Sequence, residues 1–570
     1  MDKLIRSKLW WLFLILLLTG INFFASIFHS RFDLTKEKRY TLSKATITLL
    51  RNLDDEVTIE VFFKGNYPAG FKKLVKGVQE FLQECKEYSH GQLKVIYSDP
   101  LKDLEDSSAQ NLIDSMRYFY EISPYTLEAP AKVGDEITIR HVLPGAVVHY
   151  RDTTAGINLL SGIKGYGKEQ EQLAALYNDV EATLEYKFAS AIQKITNTKK
   201  PTIGYALGNG EAFGYNVNDA YVTLRHNYNT DTFNIRKENY IPSKIDALII
   251  LKPTIPFTDD DKLKIDQYVM RGGKVFWMID NMYAEFDSLM NSNGFIAYDR
   301  ALNLEDILFR YGVRINQNLL QDMQCDKLGQ MSSDPNNQQT RLVDWPFFPI
   351  LNGTTHPISK NLDGVRAMFP NTLDTVKAEG IRKTFLLRSS ANARVLQAPA
   401  KVDFEFLQIA PDIKQFTVHD TAVAALLEGK FRSLYAERLS GNFVDSMSAK
   451  NIPVKTVCDA ENKMIIVADG DIATNQVSQQ SGPLPMGYNF YTRYRYANED
   501  FFVNALEYLV NPSGILETRA KNFTLRLLDS RKVKEQKAFW QFMTIALPVL
   551  LIILFGFIYQ QIRKRKYATG

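Results

Sequence analysis

Two uncharged apolar stretches, one near each end of the chain, constrain its fold more than anything between them. Leu9–Phe28 gives twenty consecutive residues without a charge, enough as a helix to cross a hydrocarbon layer of about 30 Å. Phe539–Tyr559 does the same near the other end, and its Pro548 is tolerated in a membrane helix although it would break a soluble one. Trp10, Trp11, Trp540 and Tyr559 fall near the segment ends, where amphipathic rings favour the membrane–water interface. Lys3, Arg6 and Lys8 precede the first stretch, and Arg563, Lys564, Arg565 and Lys566 follow the second. A secretory leader has a shorter apolar core, about 7–15 residues, and a small-residue cleavage site. The first stretch therefore reads as an uncleaved anchor. Basic flanks stay on the cytoplasmic side. Both ends are expected inside, in a two-pass inner-membrane topology that places everything between them in a bacterial periplasm.

Charge supports the same division. The formal net charge is +4; the first eight residues carry +2 and the last eight +4, leaving −2 for the body. The dense basic cluster is juxtamembrane, so a nucleic-acid partner is not expected. Three cysteines, Cys85, Cys325 and Cys458, allow at most one disulfide and contain no Cys-x-x-Cys pair for zinc or an iron–sulfur cluster.

Between the anchors, strand and helix patterns alternate, which predicts an α/β fold. Val57–Phe63, an amphipathic helix over 71–88 and a strand over 93–100 form one βαβ unit. Further strands are expected over 137–142 and 145–150, then a helix over 178–195 and a boundary at Lys199-Lys200-Pro201. A second block has buried strands over 202–207 and 246–251. Thr258 is placed to cap a helix that begins with Asp259, Asp260 and Asp261, and Arg271-Gly272-Gly273 to end it before a strand over 274–280. That order describes a doubly wound sheet. A helix and strand follow over 303–318. Periodicity is lost through Met331–Thr340, and Trp345, Pro346, Phe347 and Phe348 are expected to pack a loop onto the core. Residues 463–471 read as a buried strand with acids at its carboxyl end, and 500–510 as a closing helix. The expected domains are a cytoplasmic N-terminus (1–8), a transmembrane helix (9–28) and an N-terminal periplasmic α/β domain (29–198). A doubly wound α/β domain (199–330), a mixed continuation completing its core (331–512), a juxtamembrane segment (513–538), a second transmembrane helix (539–559) and a basic tail (560–570) follow.

The chemistry-bearing motifs are sparse. Gly162–Lys168 matches the GxxxxGK of a phosphate loop, but Glu169 stands where a Ser or Thr should hold magnesium, so a plain glycine-rich loop is expected. Gly208-Asn209-Gly210-Glu211 follows a strand, and with Gly214 gives GxGxxxG, one residue too long for a dinucleotide fingerprint. It reads as a strand-to-helix turn, with Asn209 and Glu211 as candidate ligand or partner contacts. Asp469, Asp471 and Asn475 could gather oxygens for a hard cation, but there is no twelve-residue calcium loop, and side-chain caps of the following turn explain the same residues. No metal site or cofactor is expected. There is no GxSxG or GxCxG elbow, and the cysteines have no glycine cradle, so no nucleophile is expected. The alternative is a periplasmic carbohydrate- or peptidoglycan-processing hydrolase using the strand-end acids Glu211, Asp280, Asp469 and Asp471. It would require two of these carboxylates in one cleft, roughly 5–10 Å apart.

Arg31, Phe32, Asp33, Leu34, Thr35 and Tyr40, within the 31–43 stretch just after the first apolar segment, resemble the opening signature of GldG-type proteins. These are gliding-motility-associated auxiliary subunits of bacterial ABC transporters. The resemblance continues through Val57–Phe63, 246–280, 303–313, 356–362, the Asp471/Asn475 turn and 526–533. It implies an exported α/β domain of the class I amidotransferase-like type without the amidotransferase nucleophile. It further implies a separate permease, a cytoplasmic ATPase, and a place in the gliding or type IX secretion machinery of Bacteroidota. Relatives often carry Gly-His-Gly-Glu where this chain has Gly208-Asn209-Gly210-Glu211. The candidate contact residues under this resemblance are Asn209, Glu211, Asp280, Asp471 and Asn475, with the cargo unspecified.

Overall fold

The computed structural model describes residues 10–27, 41–65, 67, 69–102, 104–129, 138–160, 170–197, 199–292, 294–331, 340–404, 412–438, 441–450, 452–520 and 530–567. The signature residues Arg31, Phe32, Asp33, Leu34, Thr35 and Tyr40, the basic Lys3, Arg6 and Lys8, and the Gly162–Glu169 loop lie outside these. Two units are distinguished, Met1–Lys521 and Asn522–Gly570.

Period-two alternation builds the first sheet. In β1 (Val57–Val61), Val57, Ile59 and Val61 are fully buried while Thr58 and Glu60 are half-buried. β1 pairs in parallel with β2 (Leu93–Tyr97) and antiparallel with β3 (Gly145–Tyr150), which turns back into β4 (Thr153–Asn158). The apolar stretch Trp10–Ile27 forms α1, and Lys44–Arg51 forms α2. Helix α3 (Ala69–Tyr88) covers the sheet with Phe71, Leu74, Val78, Leu82 and Cys85, spaced three or four apart as one helical face requires. The long helix α4 (Gln170–Thr196) joins the same core through Val180, Leu184, Phe188 and Ile192.

The main sheet has ten strands. Its parallel half comprises β5 (Thr202–Leu207), β6 (Asn229–Asn234), β7 (Ala247–Leu251), β8 (Lys274–Met278) and a later strand from 462–467. All five residues of β7 are fully buried, as a strand covered on both faces must be. Helix α5 (Asn218–Asn227) links β5 to β6, and α6 (Asp259–Met270) links β7 to β8. Thr258 caps α6 as expected: its hydroxyl accepts the Asp261 N–H at 3.1 Å and the Asp261 carboxylate accepts the Thr258 N–H at 2.9 Å. Helix α6 ends at Arg271-Gly272-Gly273 because Gly272 adopts φ +94° and a Cβ on Gly273 would lie 2.3 Å from the Tyr268 ring.

The antiparallel half corrects one expectation. Cys325–Met331 (β9) and Thr340–Gly353 (β10) form a hairpin, so Trp345, Pro346, Phe347 and Phe348 belong to a fourteen-residue strand and not to a loop. Alternation is lost because Trp345–Leu351 is occluded on both faces, Ile350 included. A register shift between Cys325 and Lys327 accommodates the prolines opposite. Ile381–Arg388 (β11), Ala422–Gly429 (β12) and Asn462–Val467 (β13) complete the order β9-β10-β11-β12-β13-β8-β7-β5-β6, with Val365–Arg366 paired to β10 off this path. Helix α7 (Asn498–Val510) packs Phe501, Phe502, Ala505 and Leu506 into the core of this sheet.

Helix α4 connects the two cores. Tyr186 donates to the Asn504 side chain at 3.1 Å, and Gln193 exchanges hydrogen bonds with Asn511 at 3.1 and 2.8 Å. Its Glu185 accepts from the Ser43 N–H and the Thr46 hydroxyl, both at 2.7 Å, and Arg519 lies over the Tyr186 ring.

In the second unit, α8 (Ser530–Gln541) passes through one π-helical turn, Phe542–Ala546, into α9 (Leu547–Tyr567). The wide turn sits just before Pro548, whose ring and missing N–H disrupt the regular ladder. Gln536–Arg565 spans thirty residues, its most apolar eighteen have a mean hydropathy of 2.5 with none of that window buried, and it is long and apolar enough to cross a membrane. Arg563, Lys564, Arg565 and Lys566 lie at its end.

Candidate functional site

Open α/β sheets bind ligands outside the carboxyl ends of their strands, where the strand order reverses. Here the chain runs from β5 out to β6 and returns to β7 on the other side, so the reversal lies between β5 and β7. The loops that should flank a crevice are instead laced together. The N–H groups of Thr254 and Ile255 both donate to the Asn209 carbonyl, at 3.0 and 2.8 Å, and the Thr254 hydroxyl donates to the Gly210 carbonyl at 2.9 Å. Gly210 is required for this closure. It has φ +70°, and a Cβ would meet the Thr254 hydroxyl at 2.2 Å.

Asn209 and Glu211 are placed together on this seam and are both buried. The Glu211 carboxylate accepts the Asn209 N–H at 2.7 Å, and the Asn209 amide donates to Asp261 at 3.3 Å. Burial pushes the Glu211 carboxyl above its ordinary pKa. Burial would do the same to Asp261, but the Thr258 N–H and hydroxyl, Asn209 and Arg236 pull it below the usual carboxylate value.

A second group of acids gathers one strand further along. Asp280 follows β8, Asp469 and Asp471 follow β13, and their nearest oxygens lie within 4.8 Å of one another. The centre of this group is an ammonium. Lys252, directly after β7, places its Nζ 2.5 Å from Asp471, 3.0 Å from Glu285 and 3.2 Å from Asp280. Arg300 closes the far side through an ion pair with Glu285. Backbone N–H groups take up the other acid oxygens: Asp280 accepts from Gly470 at 2.5 Å, and Asp469 from Asp471 at 2.7 Å and Met368 at 2.8 Å. Lys252, Asp280, Asp469 and Asp471 are each at most 9% exposed.

Four carboxyl groups face two cations, so full ionisation would bury net negative charge. Protonation relieves this. Burial, reinforced by Asp280 and Asp471, holds Asp469 well above its ordinary pKa. Burial also raises Asp471, against the pull of Lys252, to about 6. For Lys252, burial favours the neutral amine, but Asp471, Asp280 and Glu285 outweigh it and hold the pKa well above the ordinary value. An amine kept protonated cannot act as a nucleophile. The cluster acts as an internal ion-pair staple joining the ends of β7, β8 and β13.

The expected oxygen-ligand set Asp469, Asp471 and Asn475 is therefore regrouped. Asp280 is the third acid, and Asn475 works elsewhere. Its amide oxygen accepts the Asp219 N–H at 3.2 Å and its amide nitrogen donates to the Tyr215 carbonyl at 2.8 Å, tying the loop after β13 to the start of α5. Glu211 lies outside the three-acid group, on the seam with Asn209. None of these side chains lines either of two cavities elsewhere in the fold, of about 650 and 900 Å³. Lys252, Glu285 and Arg300 were not singled out from the sequence. The available signal was Lys252-Pro253, a cation directly after an unbroken apolar strand whose neighbours end in acids. Cys325 and Cys458 are free thiols, and burial pushes Cys325 up to about 12 and Cys458 up to about 11.

Residues 200–505 match the family model ABC_transp_aux, described as an ABC-type uncharacterized transport system, over more than half of the chain. The chain belongs to this family. Residues 36–149 match a separate domain of unknown function, DUF7088. No curated protein matches the chain. Among solved structures, the mmIFT52 N-terminal domain aligns at 13% identity and a TM-score of 0.30, covering 54% of this chain and 97% of that one. Exo-beta-1,4-mannosidase Op5Man5 from Opitutaceae bacterium strain TAV5 aligns at 9% identity and 0.20, covering 82% and 52%. At such scores neither likeness supports a conclusion about fold or function. Membership of the ABC-type auxiliary family points to a non-enzymatic accessory role beside ABC transporter components, and with the apolar C-terminal helix it points to membrane association.

Proposed function

We propose that this chain is a two-pass, membrane-anchored auxiliary subunit of an ABC transporter of the GldG type, serving gliding motility or type IX secretion. Its periplasmic body binds a partner or cargo, and its terminal helices pack against a permease that works with a cytoplasmic ATPase. The observation that carries the transporter assignment is the family match over residues 200–505. Two stretches near the ends of the first unit support this reading. Ser43 and Lys44, near the start of the described body, and Glu517 and Thr518, near its end, line the same cavity of about 900 Å³. The candidate contacts Asn209, Glu211, Asp280, Asp471 and Asn475 keep a positioning role in this proposal, fixing the loops at the carboxyl end of the sheet.

The test is purification of the tagged full chain in mild detergent, followed by identification of its companions. A permease and an ATPase are expected at stoichiometric yield, and deletion of the gene is expected to abolish gliding. A chain that always purifies alone, with normal gliding after deletion, would overturn the proposal. Fusion of a periplasm-active reporter to the C-terminus should give no signal, and a cytoplasm-active reporter should.

A further inference from the structure

We infer that the main sheet carries a peptide-binding slot at the edge of β11, which takes an extended acidic segment of a partner polypeptide as an added strand. β11 pairs with β12 along its whole length, from Ile381 opposite Gly429 to Arg388 opposite Ala422. With β10 it pairs at two positions alone, Asn352 with Arg388 and Gly353 with Leu387. Beyond them Thr354 reaches across, donating its N–H to the Leu386 carbonyl at 3.3 Å and its hydroxyl to the Phe385 carbonyl at 2.9 Å. In an antiparallel strand every second residue turns both its N–H and its C=O to the same flank. Ile381–Phe385 therefore presents backbone donors and acceptors along this edge, and no backbone partner among the described residues takes them up.

A cavity of about 650 Å³ lies against this edge, lined by Lys383, Thr384 and Phe385 and roofed by Asn352–Thr355. Natural proteins cover or charge exposed edges to prevent pairing with another sheet. Here β10 rejoins β11 at Leu387 and Arg388, which obstructs a second folded sheet while leaving room beside the strand. An alternating ladder of N–H and C=O groups is the complement of another peptide backbone, and it fixes the class of ligand.

Charge fixes its character. Lys383 donates to the Val376 carbonyl, and Arg388 lies over the Phe385 ring at 4.8 Å and donates to the Asp420 carbonyl at 3.3 Å. Among the described residues neither cation has a carboxylate within ion-pair distance. The single acid lining the cavity is Asp420. Two cations against one carboxylate favour an acidic side chain on the incoming strand, and Arg388 offers a fork suited to it.

This deepens the partner-binding role proposed above and rests on it. The test uses the full chain in detergent micelles and fluorescein-labelled octapeptides of alternating valine and threonine, with either two glutamates or two lysines at the centre. The glutamate peptide should bind saturably, and the lysine peptide at least about tenfold more weakly. Arg388→Glu and Lys383→Glu should each weaken the glutamate peptide about tenfold, with Arg388→Gln intermediate and all melting curves unchanged within about 3 °C. N-methylation of alternate peptide nitrogens should abolish binding in one register and leave it intact in the other. Absence of saturable binding, indifference to the N-methyl register, or equal displacement by tetragalacturonate would overturn the proposal, the last by showing a carbohydrate site. Co-purification with a permease and an ATPase is measured independently, so failure here leaves the auxiliary-subunit assignment standing.

Discussion

The two halves of the main sheet treat their polar edges in opposite ways. At the carboxyl ends of β5, β7, β8 and β13, where this architecture ordinarily places a ligand, the chain fills the space with its own groups. Loops are laced across the seam, and the Lys252 ammonium occupies the middle of the acids. In the antiparallel half, β11 keeps an open flank beside a cavity, and two cations there lack carboxylate partners among the described residues. A parallel half buried on both faces has to pair its buried charges internally, because an unpaired charge there is expensive. The partly exposed strand β11 can leave backbone groups and charges for a partner at little cost.

The sharpest way to break this contrast is Lys252→Met. It leaves Asp280, Glu285 and Asp471 without their shared cation, and removing one partner of a buried ion pair costs about 3–5 kcal/mol. Denaturant midpoints followed by the fluorescence of the buried Trp277 and Trp345 should fall accordingly. An unchanged midpoint would show that the staple is not electrostatic.

The pH response is next in size. The Asp471 carboxyl has a folded-state pKa of about 6, above an unfolded value of about 3.9. The folded state therefore binds this proton more tightly, and its contribution is fully present below the unfolded value. It is lost as pH rises through about 6. The difference in stability between pH 3 and pH 8 attributable to this group is about 3 kcal/mol. Asp471→Asn should flatten that part of the stability profile, and a profile parallel to that of the parent chain would refute the assignment.

Gly210→Ala sharpens the comparison at the laced seam. The left-handed backbone and the 2.2 Å approach to Thr254 should together cost about 2–3 kcal/mol. Adding Thr254→Ala should recover about half, because the backbone term remains. The smallest effect is expected in the other half: Arg388→Glu should change stability by about 0.5 kcal/mol or less, being a half-exposed cation without an ion pair. A loss as large as that of Lys252→Met would erase the distinction between the halves.

Legibility in the sequence follows the same division. The unbroken apolar run of β7, the N-cap Thr258, and the stop at Arg271-Gly272-Gly273 are local signals, and they appear in the structure as read. The β9–β10 hairpin was hidden because Trp345–Leu351 is covered on both faces and carries prolines, which removes the period-two pattern. The acids Asp280, Asp469 and Asp471 were recognisable as strand-end groups, but their shared partner was not. Lys252 is more than two hundred positions from Asp471, and nothing local distinguishes it from a surface lysine.

By itself the sequence determined the apolar ends, the α/β class, the strand and helix signals and the family resemblance, since each rests on neighbours a few residues apart. Tertiary structure alone decided that the strand-end acids enclose an ammonium, that the reversal point is laced closed, and that β11 keeps a free flank. Strand order and side-chain convergence are set by contacts between residues distant along the chain, and local periodicity carries no record of them.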